Sequence, residues 1–154
     1  MSVTDVVQFQ IGNTLYALDI HLAREIVEMM PITPVPRAPE HIAGIINLRG
    51  EITNILNLNT LLGLENEKSG DDKKIIVLVA ESAGGSNVGM IVDDVHSVLQ
   101  VSEDRIEKID DSISDEAYVR GVIKTGNPED NDENLVIWID IARILESNLK
   151  ENDE

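Results

Sequence analysis

The longest unbroken apolar stretch in this chain is Ile75 to Ala80, and the others are shorter still, cut by polar residues, glycine and proline. A chain written in such short apolar runs cannot build long buried helices or cross a bilayer as a helix. It can build strands. Aromatic residues are scarce among the 154, with one Trp, two Tyr and one Phe, so a core must come from Ile, Val and Leu. Branched side chains of that kind fit a pleated sheet.

The strands can be placed by alternation and turn chemistry. Val7, Phe9 and Ile11 alternate with Gln8 and Gln10, Gly12-Asn13 supplies a hairpin turn, and Leu15 to Leu18 returns. Ile20, Ala23 and Ile26/Val27 recur at helical spacing, which predicts a short helix or turn. Pro31, Pro34, Pro36 and Pro39 then exclude helix and central strand and predict an edge strand or a rigid surface crossing. Gly44 to Leu48 and Glu51 to Leu58 read as two strands around a tight Arg49-Gly50 turn, and Asn59 to Leu64 as a short helix. After a polar loop at 65–73, strands are expected at Ile75–Ala80, Val88–Asp93, Val95–Val101, Tyr118–Lys124 and Leu135–Ile139. Ser102 is expected to cap a helical turn, and Asp140 a helix with Ile141, Ile144 and Leu145 on one face.

The two halves echo each other. Gly44-Ile45-Ile46 resembles Gly121-Val122-Ile123, and Asn57 to Leu62 resembles Asp140 to Leu145. Upstream, the strand pair Val6–Leu18 parallels Lys74–Val92. The repetition predicts two small barrels of one build, packed together.

Chemistry is hard to find. There is no cysteine, hence no disulfide and no thiolate. His21, His41 and His96 have no metal-ligand spacing. Gly84 to Gly89 lacks the Lys-Ser/Thr of a phosphate loop, and a strand follows it. The acidic stretches 110–116 and 129–133 read as solvated loops, and the first lacks the glycine and distal glutamate of a calcium loop. Twelve Lys and Arg against 29 Asp and Glu give a formal charge of −17, which repels nucleic acid and anionic lipid. No enzyme, no cofactor, no nucleic-acid partner and no direct membrane contact are expected. The N-terminus has no basic segment leading into an apolar one, which predicts a cytoplasmic protein. A protein working by contact is the reading; a ligand- or metal-binding small-barrel sensor is the alternative.

Three stretches resemble the CheW-like chemotaxis coupling family: Leu22 to Val27 with the proline segment after it, Gly44-Ile45-Ile46-Asn47-Leu48-Arg49-Gly50-Glu51-Ile52 running into Leu56-Asn57-Leu58, and Val88 to Val95. The resemblance covers about Val6 to Leu149. The chain departs from it at Asn54, where proline is usual, and at Asn57, where aspartate is usual. The resemblance implies a mainly β fold of two five-stranded SH3-like barrels, with short helices and a C-terminal helix, forming one domain over 1–154. Subdomain 1 would run from about 15 to 70 and subdomain 2 from about 75 to 140, the termini completing the pair.

It also implies an adaptor that ties methyl-accepting chemotaxis receptors to the regulatory domain of the histidine kinase CheA and is recruited to receptor arrays at the membrane. A groove between the barrels would receive the receptor's helical tip. Arg49 and Glu25 match positions near that groove. Ala23, Val27, Gly44, Ile45 and Ile46 are the further receptor-facing candidates. For the kinase, the expected surface is a pair of edge strands carrying Val77, Val79, Val88 and Met90.

Overall fold

A computed structural model describes residues 3–63, 73–79, 87–108, 118–126 and 134–149. Eleven strands appear among them: β1 (Val3–Ile11), β2 (Thr14–Asp19), β3 (Ala23–Glu28), β4 (Ile42–Leu48), β5 (Glu51–Asn57), β6 (Lys74–Leu78), β7 (Val88–Val92), β8 (Asp94–Ser102), β9 (Ile106–Glu107), β10 (Val119–Thr125) and β11 (Asn134–Ile139). Helix α1 is Leu58–Leu61 and helix α2 is Ile141–Leu149.

Two sheets result, ordered β8-β1-β2-β11-β10-β9 and β3-β6-β7-β5-β4. Both curl shut, and the connections show why. Strands β8 and β9 lie at opposite ends of the first sheet, yet only the turn Glu103–Arg105 separates them in sequence, so the ends must meet. In the second sheet the chain leaving β3 at one end bridges β4 at the other through Thr33 and Ile45, with backbone hydrogen bonds of 2.9 Å in both directions. The molecule is a pair of small β-barrels, each of five main strands.

Corresponding strands occupy corresponding places. β1, β2, β11 and β10 neighbour each other in the first barrel as β6, β7, β5 and β4 do in the second. In each, one parallel pair (β11 with β2, β5 with β7) joins antiparallel ones. Even the bulge recurs: the register shifts just before Gly44 in β4 and just before Gly121 in β10. The strand that follows each half's first hairpin, β3 or β8, joins the hairpin of the other half.

This interleaving corrects the expected division near residue 70. Strands β6 and β7 form the middle of the barrel built from β3, β4 and β5, while β1 and β2 form the middle of the barrel built from β8, β10 and β11. Each barrel takes a hairpin from one half and three strands from the other.

Three apolar clusters fill the structure. Val6, Ala17, Val101, Ile123, Val136 and Trp138 fill the first barrel, and Ile46, Ile55, Ile75, Val77 and Ile91 the second. A third layer draws Phe9, Tyr16 and Leu18 from the first barrel, Leu56, Ile76 and Met90 from the second, and Ile141, Ile144 and Leu145 from α2. The alternation of a strand explains β6: Ile75 and Val77 point into the barrel, Ile76 and Leu78 into the layer between barrels. A strand buried on both sides must be apolar throughout, hence the unbroken apolar run Ile75 to Leu78.

Local outcomes follow the same physics. Asp140 accepts from the Arg143 amide at 3.2 Å, as a cap should. Ser102 does not cap; its hydroxyl donates to Asp104 instead. The helical spacing at 20–27 resolves into a short 3-10 turn, Ile20–Leu22, followed by β3. Pairing of the branched residues Ile26 and Val27 with Ile76 and Ile75 of β6 overrides a local helix. Asn54 donates its backbone N–H to Asn87 at 2.9 Å, a bond a proline there could not make. The glycine-containing stretch 84–89 lies partly, and both acidic stretches lie wholly, outside the described residues.

Candidate interaction surface

The β4–β5 turn is two residues long, with Leu48 opposite Glu51. Both central residues, Arg49 at φ 51 and Gly50 at φ 88, are left-handed, the conformation that matches the twist of a hairpin. Asn47 steadies the turn by accepting the Gly50 amide at 2.9 Å. The turn therefore holds the Arg49 side chain out from the end of the barrel, 63% exposed.

Strand β3 meets it there. The Arg49 guanidinium donates to the Glu25 carboxylate, and Arg24 lies 3.6 Å from Glu51. Asn87 reaches Glu51 as well, at 3.4 Å. Two successive β3 residues thus pair with the turn residue Arg49 and with Glu51, the first residue of β5, in crossed charge order. The hydrogen bond from Arg49, with the charges of Arg49 and Arg24 behind it, holds the Glu25 carboxyl below the usual carboxylate range despite partial desolvation. Arg49 is pushed upward in turn.

The remaining receptor-facing candidates divide. Ala23, Glu25 and Val27 share the half-buried face of β3, with Arg24, Ile26 and Glu28 outside. Ile45 is half-buried. Ile46 is 4% exposed and belongs to the second barrel's core. Gly44 is buried against the chain before β4: a Cβ there would stand 2.3 Å from the Thr33 carbonyl oxygen. Neither Ile46 nor Gly44 offers a side chain to a partner; both build the barrel that carries Arg49.

The kinase-facing candidates are corrected more fully. β6 and β7 are interior strands, not edges. Val77 and Met90 are fully buried and Val88 nearly so. Val79 is half-buried, its amide donating to the Leu22 carbonyl at 2.8 Å. An apolar run has the same signature whether it faces a partner or a second layer of the same protein. Exposed apolar side chains lie elsewhere, among them Ile26, Val35, Ile52, Val98 and Leu135. Arg24 escaped the sequence reading too, although its place beside Glu25 on an alternating strand was a usable signal.

A second polar cluster sits where the chain leaves the first barrel. The buried Asp19 accepts from the Trp138 indole at 2.7 Å and from Arg120 at 2.8 Å. The Arg120 guanidinium lies 4.3 Å from the centre of the Trp138 ring. All three groups satisfy one another, which makes this a brace among β2, β10 and β11.

The family model that matches is the CheW-like domain, over residues 5–149. The chain belongs to the CheW-like domain family. It is 31% identical to the chemotaxis protein CheW of Thermotoga maritima, over 92% of this chain and 87% of that protein. With the chemotaxis protein CheW of Treponema pallidum it shares 32% identity, over 92% of this chain and 82% of that one. The crystal structure of the scaffolding protein TtCheW from Thermoanaerobacter tengcongensis superposes with a TM-score of 0.77, at 32% identity, covering 94% and 88% of the two chains. CheW-like membership makes this a chemotaxis scaffold rather than an enzyme. Among the described residues no helix is long and apolar enough to cross a membrane, and no cluster of His, Asp and Glu could hold a metal ion.

Proposed function

We propose that this scaffold couples methyl-accepting chemotaxis receptors to the histidine kinase CheA, as a cytoplasmic protein recruited to receptor arrays. The observation that carries the reading is the Arg49–Glu25 pair, held out at a two-residue turn. Buried ion pairs brace folds; an exposed one on a rigid turn presents a fixed cation and anion side by side. A helical receptor tip bearing both charges and a small apolar face could dock there, with Ala23 and Val27 on the same face of β3 as Glu25. The kinase regulatory domain, itself of this fold in the family, is the second partner.

The test reconstitutes receptor, kinase and this protein and follows receptor-controlled autophosphorylation. Arg49→Glu places two carboxylates where the pair stood, and it should leave the fold intact while abolishing control of the kinase. Full receptor control with Arg49→Glu would remove Arg49 from the mechanism.

A further inference from the structure

Strand β3 does not run evenly along β6. Ala23 stands opposite Leu78 and Glu25 opposite Val77, so Arg24 is one residue too many for the pairing, the extra member of a β-bulge. A bulge bends its strand and re-aims a side chain. Here the re-aimed side chain is a cation. The Arg24 guanidinium lies 3.6 Å from Glu51, while Arg49 holds Glu25 by a hydrogen bond. The charge of Arg24 also acts on Glu25, and that of Glu51 on Arg49. Four charges of alternating sign therefore share one end of the second barrel, and each cation has both anions within electrostatic reach. Among them Glu25 is the least exposed, at 23% of its side chain. A carboxylate held partly out of water is costly to leave without a cation.

We propose that Arg24 is a positioning residue of this surface: when a carboxylate of the receptor tip takes Arg49, Arg24 turns from Glu51 to Glu25 and keeps that carboxylate neutralised. The inference deepens the coupling function proposed above and rests on it. Three observations support it. The bulge puts a residue with no opposite number on β6 directly beside Glu25, so Arg24 has no place in the pairing register to give up. Its own pair is the looser of the two, an ion pair at 3.6 Å where Arg49 makes a hydrogen bond. Glu51 is not abandoned when Arg24 leaves, because Asn87 reaches it at 3.4 Å and more than half of its side chain is in water. The exchange thus leaves the better-solvated acid to water and keeps the less solvated one paired.

The experiment titrates the full-length protein with a receptor-tip fragment by calorimetry and follows the side-chain carboxyl carbon of Glu25 by NMR across the acid range, free and at saturation. The proteins are wild type, Arg24→Gln, Arg24→Lys, Arg37→Gln and Arg49→Glu. Arg24→Gln should keep the thermal midpoint of wild type and lose affinity for the tip roughly tenfold. Arg24→Lys, which keeps the charge, should recover most of that loss. Arg37 is exposed and outside the quartet, so Arg37→Gln, with the same change in net charge, should bind within about twofold of wild type. In the wild-type complex the Glu25 carboxyl should stay below the usual carboxylate range, whereas in the Arg24→Gln complex it should rise toward that range. Arg24→Gln binding as wild type does, while Arg49→Glu abolishes binding, overturns the inference and leaves the coupling function standing. A Glu25 carboxyl that titrates alike in the two complexes overturns it too, as does Arg24→Lys binding no better than Arg24→Gln. A wild-type protein that does not bind the tip overturns both.

Discussion

Replacing Gly44 by alanine adds one methyl group at the tightest backbone approach in the second barrel. The new carbon would lie 2.3 Å from the Thr33 carbonyl oxygen and 2.6 Å from Cγ2 of Ile32, and φ is 148. The oxygen is backbone and cannot swing aside, so the segment carrying Thr33 must retreat from β4. Its two hydrogen bonds with Ile45 close the barrel, and each is worth about 1 kcal/mol net. An L-residue held in that backbone conformation adds about 1–3 kcal/mol. The sum is about 3–5 kcal/mol, a large part of the about 5–15 kcal/mol that holds a typical domain. Urea unfolding followed by far-ultraviolet circular dichroism should show the midpoint falling by about 2 M for a slope near 2 kcal/mol/M. Gly50→Ala is the control: φ is 88, but a Cβ there meets nothing within 4 Å, so strain alone should cost about 1 kcal/mol. Equal losses for the two variants would refute the steric argument, and so would a Gly44→Ala protein as stable as wild type.

Other outcomes can be stated in advance. Asp19→Ala leaves the buried Trp138 indole without its acceptor and should cost about 2–3 kcal/mol by denaturant titration, whereas Asp19→Asn, which keeps an oxygen, should cost less. Met90→Ala should destabilise by about 2–5 kcal/mol, as for a core residue, and leave kinase-domain affinity unchanged in the folded fraction. The Glu25 carboxyl is lowered in the folded state, so its contribution is present above the usual carboxylate range and is lost as pH falls through the depressed value. Arg49→Met should therefore flatten the acid side of the stability–pH curve, and an unchanged curve would dismiss the pair as a contributor. Because each barrel takes a hairpin from the other half, a full-length protein cleaved at an engineered protease site between Gly63 and Lys73 should elute as one species and separate only in denaturant. Two separately eluting folded halves would contradict the interleaving.

The sequence alone determined the strands other than β3 and β9, the two-residue turns at Gly12-Asn13 and Arg49-Gly50, the cap at Asp140 and the pairing of Gly44 with Gly121 as like positions. These depend on contacts a few residues long, on alternation and on backbone conformations that particular residues favour. Membership in the CheW-like family was legible in the same way, because short motifs in order survive at 31–32% identity. The tertiary structure alone decided which hairpin enters which barrel, that β3 is a strand, and that Val77, Val88 and Met90 are buried while Val35 and Arg37 are exposed. Those outcomes depend on pairing between strands far apart in the chain. An apolar side chain carries no mark of whether its neighbour will be its own protein or another.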